Sequence, residues 1–438
     1  MSAPDKSDVR KPRRTGARRR VQRARPWLLW LFLVFVTALA IGQFGVHPTY
    51  DFPSPEPFHG DRWYNPYATP ASMRLRACFH AHATGWGGTT NASNSNSEVH
   101  AAYRKLGYQV VGISNYQSIR PQVDEDTVFL PVYEHGFGLG QQHQTVIGAP
   151  GVLWFDYLFG QNLHQMQHVI DLLRDQGAFV IANHPNKSQG YSEEDLGLLS
   201  GVRGVEIRSR FAKAVEYWDA ALTAGKPLWG FCSDDSHDLS RPWHIASGWV
   251  EIDVTEPTPD AVRDALELGR FTSIWAKSRG APNGLRSLVI EGDVLKLSLV
   301  RKADWIRVVR NDGAISEIVR AKHELEIPLH PEDTYVRIHV NTANTDLFLN
   351  PVFRYSGEDP FMVAQASVLS GPTLVRRSLA GLYGLFILSV GFWIARDQRR
   401  SAPSGEHDVA VVATDDNNRA AMSDPAEVPL GRDRHLQS

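Results

Sequence analysis

Short apolar, β-branched runs alternate with amphipathic stretches between about residues 74 and 275. The runs are Leu75–Phe79, Gln109–Ile113, Val128–Val132, Gln144–Gly148, Ala178–Ala182, Gly204–Ile207 and Pro227–Phe231. Helical periodicity falls on Glu98–Leu106, Leu163–Gln176, Phe211–Ala224 and Thr258–Leu268. Strands separated by helices in this way predict parallel pairing through crossovers. Seven such runs suit a closed or nearly closed barrel, with functional groups at the strands' C-terminal ends. From about residue 283 the period changes to two. LRSLVIEGDVLKLSLV, WIRVVRNDG, HELEIPL, YVRIHVNT and NPVFRY alternate apolar and polar positions between turn signals, which predicts a small antiparallel β-sandwich ending near Tyr355.

Two longer apolar runs flank this region. Trp27–Val46 gives 20 nearly continuous apolar residues, enough for a helix to cross a bilayer. Leu379–Ala395 is a shorter run, bracketed by Arg376-Arg377 and by Arg396, Arg399 and Arg400. The expected division is a basic tail (1–26), a first span (27–46), a linker (47–73), a barrel (74–280), a β-rich domain (281–370), a second span (376–396) and a disordered polar tail (397–438). Ten Lys/Arg against one acid lie between Lys6 and Arg25, immediately before the first span. The positive-inside rule then puts both tails in the cytoplasm and the domains between the spans on the extracytoplasmic, periplasmic side. A cleaved signal peptide is the alternative for the first run, since Ala38-Leu39-Ala40 has the small-x-small form of a cleavage site.

Composition adds little beyond a globular class: 42% hydrophobic, 10% aromatic, and a formal net charge of −2 that gives no case for nucleic acid. The chain has two cysteines, Cys78 and Cys232. Export allows a disulfide between them, but both sit on strand-like runs and read more simply as small buried residues.

The chemistry sits at the ends of the apolar runs. RACFHAHAT delivers His80 and His82 one residue apart, so in extended chain their imidazoles project to one side and can share an ion. Downstream come Glu134 in FLPVYEHG, His143 in QQHQTVIG, His184 in FVIANHPN, and Asp235 and His237 in LWGFCSDDSHD, each beside a strand-like run. Neighbouring His135 and Asp234 compete for two of these places. Glu206, Arg208 and Arg210 of GVEIRSR alternate onto one face: either they line the mouth and take a phosphate or carboxylate, or Glu206 forms a wall salt bridge. His164 and His168 lie at helical i, i+4 spacing and read as surface or core rather than a site. Trp86, Trp154 and Phe155 fall in loops that border the mouth.

HxH, Glu, His, His-Pro and Asp-x-His, in that order beside successive strands, resemble the PHP (polymerase and histidinol phosphatase) superfamily over roughly residues 74–275. GRFTSIWAKSRG and the NPVFRY ending look like its CehA/McbA-type branch. The resemblance implies a distorted (β/α)7 barrel with divalent cations at its C-terminal mouth. By position, His80, His82, Glu134 and Asp235 would hold one ion, and Glu134 would bridge to a second completed by His143 and His184. His237 matches a further ligand of members with three metals. Many relatives carry Asp-His after the second strand, where this chain has Asn115 and Tyr116. They also carry an Asp or His about five residues past HxH, where this chain has Gly87. Two ions are therefore expected, of zinc, manganese or iron, leaving His237 free as proton donor or phosphate contact alongside Asp235.

No nucleophile elbow, P-loop or dinucleotide fingerprint occurs in the sequence. The expected function is a membrane-anchored metallohydrolase, a phosphoesterase acting on a small-molecule or envelope-derived ester, with Arg208 and Arg210 as substrate contacts. A carboxylic or carbamate ester hydrolase is the nearest alternative, and a non-catalytic, metal-stabilised envelope binding module is the alternative from another class. Ligand histidines must be neutral, so activity is expected to fall below about pH 6.

Overall fold

The computed structural model describes residues 26–121, 125–241, 243–278 and 280–400. The expected basic tail and the polar tail beyond 400 lie outside these residues. The first apolar run is a helix, Pro26–Ala40, continued by a wider turn at Ile41–Gly45. The second lies within one helix, Ser370–Arg400. Both are long and apolar enough to cross a membrane. They run side by side: Trp30 Nε1 donates to the Ile387 carbonyl at 3.1 Å. Gly391 makes room for that indole, since a Cβ there would lie 2.0 Å from it. Phe32, Phe35, Leu385 and Phe392 stay exposed on the pair.

The rest is mixed α/β. Val132–His135, Gln144–Ile147, Phe179–Ala182, Gly204–Arg208 and Trp229–Cys232 form one sheet in sequence order. Its first two pairings are antiparallel and its last two parallel. A ten-stranded sheet holds Met73–Cys78 and Val110–Val111 at one end and Ile315–Arg320 at the other. Helices cover the outside, and three begin with reciprocal caps: Ser95 with Glu98, Asn162 with Gln165, and Ser192 with Asp195. Each cap satisfies amide groups that the first helical turn leaves without partners.

The seven expected strands all form, within a few residues, except that Val128–Val132 becomes Val132–His135. Pro131 has no N–H for a ladder, so pairing starts after it and carries Glu134 into the strand. A closed barrel does not form. The two sheets approach through isolated bridges, Tyr116 with Glu134, Ala81 with Ser236 and Val110 with Val128, rather than through continuous ladders. The reason is two strands that the helix–strand reading did not anticipate, Gly248–Val254 and Phe271–Ala276. They pair antiparallel between Met73–Cys78 and Thr345–Leu349, so one sheet runs from the HxH strand into the β-rich segment, across residue 280. A three-stranded sheet, Leu285–Glu291, Val294–Leu299 and Glu324–Pro328, shares a core with it through Leu288, Leu297, Ile306 and Ile338. Cys78 and Cys232 are both buried and free.

Candidate metal centre

His80 and His82 follow the strand Met73–Cys78, and Asp235 and His237 follow Trp229–Cys232. Backbone pairing locks these two segments together. Asp235 N donates to His80 O at 2.9 Å, and His82 N donates to Ser236 O at 2.8 Å. Glu134 enters from the strand Val132–His135, His143 from just before Gln144–Ile147, and His184 from just past Phe179–Ala182. His184 and Asp235 have φ of +27° and +48°, a region that side chains with a Cβ rarely occupy. Such strain persists only where the surroundings enforce it, and it clusters at functional sites.

Seven side chains converge. His80–His82–Glu134, His80–His184–Asp235, His82–Asp235–His237 and Glu134–His143–His184 each bring three donor atoms within 4.8 Å of one another. Glu134 is central: Oε1 lies 3.0 Å from His143 Nδ1 and 3.4 Å from His184 Nε2, and Oε2 lies 3.2 Å from His82 Nε2. Asp235 Oδ1 is 3.3 Å from both His80 Nε2 and His82 Nε2, and 3.6 Å from His237 Nδ1. Ligand bonds of about 2.0–2.2 Å in a tetrahedral shell put neighbouring donors about 3.3–3.6 Å apart. His143 is hydrogen-bonded to Glu134 at 3.0 Å, whereas the other imidazole–carboxylate separations among these seven side chains, 3.2–3.6 Å, lie close to those edges.

The donors also lack other partners. His80 Nε2, His82 Nε2 and Glu134 Oε2 are buried without a hydrogen bond among the described residues. Orphaned polar atoms in such a site are costly unless something else satisfies them. Burial opposes charge on His80 and His82, yet the Asp235 and Glu134 carboxylates outweigh it and raise both imidazoles. The same attraction holds Glu134 and Asp235 below the usual carboxylate range against the effect of burial. Bound cations would take over this charge balance, so the residues present fit a metal. His237 differs: burial and then the nearby His82 push it down to about 4, and its side chain is 12% exposed.

Two supporting residues were under-read from sequence. Glu206 accepts from His80 Nδ1 at 2.8 Å and from His184 N at 2.9 Å, and Ser233 Oγ also donates to it. This fixes the His80 tautomer and leaves Nε2 facing the other donors. Asn183 donates to Glu134 Oε1 at 3.0 Å and accepts from Thr145 N at 3.1 Å; its place beside His184 was the available signal. Asp234 turns away from the cluster, accepting N–H bonds from Ala246, Ser247 and Gly248 and the Tyr103 hydroxyl. His135 likewise spends its nitrogens on Gln144 and the Phe155 carbonyl.

A register shift after Glu206 breaks the simple alternation expected for GVEIRSR. Arg208 stacks over Trp275, 4.9 Å from its centroid. Arg210 lies over Phe211 and within electrostatic reach of Asp235. Tyr116 stacks on His82 with centroids 4.6 Å apart, and Asn115 Oδ1 accepts from Ala83 N at 2.6 Å. His164 and His168 bind Tyr50 N and the Tyr157 hydroxyl, away from the centre.

No family model matches the chain, and no curated protein matches it. Among solved structures, the chain is similar to a two-domain protein from Bacteroides vulgatus containing a predicted PHP-like metal-dependent phosphoesterase. The two share 13% identity and a TM-score of 0.37, over 71% of this chain and 99% of that one.

Proposed function

We propose that the protein is a membrane-anchored, metal-dependent ester hydrolase, most consistent with phosphoesters, of the PHP type and its CehA/McbA-like branch. The observation that carries the reading is the buried Glu134 carboxylate, with His80, His143 and His184 around Oε1 and His82 on Oε2. His80, His82 and Asp235 would hold one cation, His143 and His184 a second, with Glu134 between them. Zinc, manganese or iron suits these donors. When bound, a cation pair supplies nucleophilic water near neutral pH and offsets charge developing on ester oxygens.

The chain's own residues do the rest. Glu206 and Asn183 orient ligands from behind. His237, whose Nδ1–H is held by the Asp235 carbonyl at 3.0 Å and which is partly exposed, would be neutral near pH 7 and would offer Nε2 as an acceptor to the water or substrate. Arg210 stands on the rim for an anionic substrate. A carboxylic or carbamate ester is the second reading, favoured by the stacking of Arg208 on Trp275, which leaves a rim poorer in cations for a phosphate. The positive-inside rule supports an extracytoplasmic site.

The test is the metal content of the full chain in detergent beside His80→Ala and Asp235→Ala, each assayed on an aryl phosphoester and an aryl carboxylic ester. About two ions per wild-type chain, lost with hydrolysis in both variants, supports the enzyme and names its ester. Metal without hydrolysis indicates a binding module. A folded, metal-replenished wild type with no metal rejects the site.

A further inference from the structure

Exposed apolar side chains on two loops lie between the metal centre and the first apolar helix, and the last turn of that helix holds one of these loops in place. Gln43, two residues before the end of the candidate span at Gly45, is 3% exposed. Its side chain accepts from Phe159 N at 3.1 Å and donates to Gly160 O at 3.2 Å, and its carbonyl accepts from Gln165 Nε2. At 1.5 Å per residue, Gln43 sits about 3 Å inside the span's end, whereas each headgroup layer is about 5–7 Å thick. Where Trp27–Gly45 crosses a bilayer, anything fastened to Gln43 would lie within a few ångström of the headgroup layer.

What is fastened there is apolar and exposed: Leu158 at 37% and Phe159 at 45%, beside Phe44 at 63%. Leu139 N donates to Leu158 O at 2.8 Å, which adds the 136–142 loop, where Phe137 is 49% and Leu139 71% exposed. The two loops touch closely, since a Cβ on Gly138 would lie 2.4 Å from Tyr157 O. Asp156 clamps the Phe137 and Gly138 amides. The 136–142 loop is also the connection between Glu134 and His143. Leu139 is four Cα steps from His143, a reach of at most about 14 Å. On the other flank, Trp154 meets Trp86, whose indole N–H donates to the carbonyl of Tyr116, the residue stacked on His82.

We infer that this rim seats in the bilayer surface and that the centre acts on an ester carried by a membrane-embedded amphiphile, drawn in sideways from the headgroup layer. The inference rests on the hydrolase and membrane-span readings above. Exposed apolar patches of this kind mark interaction surfaces, and this one is fixed beside a helix of membrane-spanning length. Exposed Arg377 of the second helix, held by the Val46 carbonyl, supplies a cation at the same level for anionic headgroups. In the reaction, water oxygen bonds to phosphorus, the phosphorus–oxygen bond to the leaving alcohol breaks, and that alcohol takes up the proton.

The full chain in phosphatidylcholine/phosphatidylglycerol nanodiscs tests this with two esters sharing one scissile bond, methyl and hexadecyl 4-methylumbelliferyl phosphate. Leu139→Asp and Phe159→Asp are expected to lower kcat/KM for the hexadecyl ester at least tenfold and to leave the methyl ester within twofold. Separately, Leu139→Cys labelled with nitrobenzoxadiazole should shift to the blue and be quenched by doxyl lipids, because Cys78 and Cys232 are buried from the label. An unquenched, solvent-polar probe overturns the seating. Quenching with equal loss, or no loss, on both esters overturns the delivery of amphiphiles. Quenching with neither ester cleaved by the wild type sinks the phosphoesterase reading and the delivery with it, while supporting the seating.

Discussion

Replacing Glu206 with glutamine removes a charge from behind the metal centre without removing volume. In the native chain its carboxylate takes the His80 Nδ1–H at 2.8 Å, the His184 N–H at 2.9 Å and the Ser233 hydroxyl, with the Glu206 side chain only 2% exposed. Glutamine keeps one carbonyl oxygen but turns an NH2 toward at least one of these donors. It can satisfy His80 or the His184 amide, not both. Losing a charge-assisted bond of this type costs about 1.5–3 kcal/mol. The His80 imidazole also becomes a poorer donor without an anion behind it, and such outer partners typically change metal affinity by about 10–100-fold. We expect Glu206→Gln to weaken metal binding by that factor, about 1.4–2.7 kcal/mol. The assay is competition against a calibrated zinc chelator, with circular dichroism confirming that the variant is folded. Glu206→Asp should recover part of the loss by restoring the charge at a longer reach. An affinity within twofold of wild type in folded Glu206→Gln would refute the role of Glu206 in orienting His80.

Asp234→Ala should destabilise the fold by about 3–5 kcal/mol, because it strands three amides and the Tyr103 hydroxyl in a buried site; the midpoint of denaturant unfolding measures this. Gly136→Ala combines a φ of +124° with a Cβ that would lie 2.6 Å from the His143 ring, so the ion count should fall from about two toward one by elemental analysis, with the His80 half retained. Burial, then Arg377 and His47, hold His168 down at about 4, so it stays neutral in the fold while the unfolded chain protonates near 6.5. Its contribution to stability is complete above pH 6.5 and is lost as pH falls toward 4. For a half-buried ring this amounts to about 1–2 kcal/mol, and His168→Gln should flatten the melting temperature across that window.

Much of the centre was legible because each candidate ligand stands beside an apolar run that the fold turns into a strand. His80 and His82 needed only local spacing, and the order of the remaining motifs fixed which strand ends had to meet. The sheet pattern was less legible for a nonlocal reason. GWVEIDV has the alternation of a strand, but nothing in its own residues tells whether it closes a barrel or pairs with Met73–Cys78 on one side and Phe271–Ala276 on the other. Glu206 was misjudged for a related reason. Counting alternate positions grouped it with Arg208 and Arg210, whereas its partner is His80, 126 residues earlier, and a shift in strand register sends Arg208 elsewhere.

The departures at Asn115, Tyr116 and Gly87 can now be argued from what those positions do. A third cation would need donors on the His82–His237 side. Asn115 Oδ1 is committed to the Ala83 amide and so braces the HxH segment itself. Tyr116, like His237, stacks on His82, at centroid distances of 4.6 and 4.3 Å respectively. Its hydroxyl stays protonated, since burial and then the Glu134 charge push it far above the usual phenol range. Gly87, at φ +66°, offers no side chain at all. Asn115 and Tyr116 thus hold His82 in place rather than offering ligands, while His82, Asp235 and His237 still bring three donor atoms within 4.8 Å of one another. His237, stacked on His82 and partly exposed, keeps its Nδ1 on the Asp235 carbonyl and has the Tyr116 hydroxyl 3.5 Å from its Nε2.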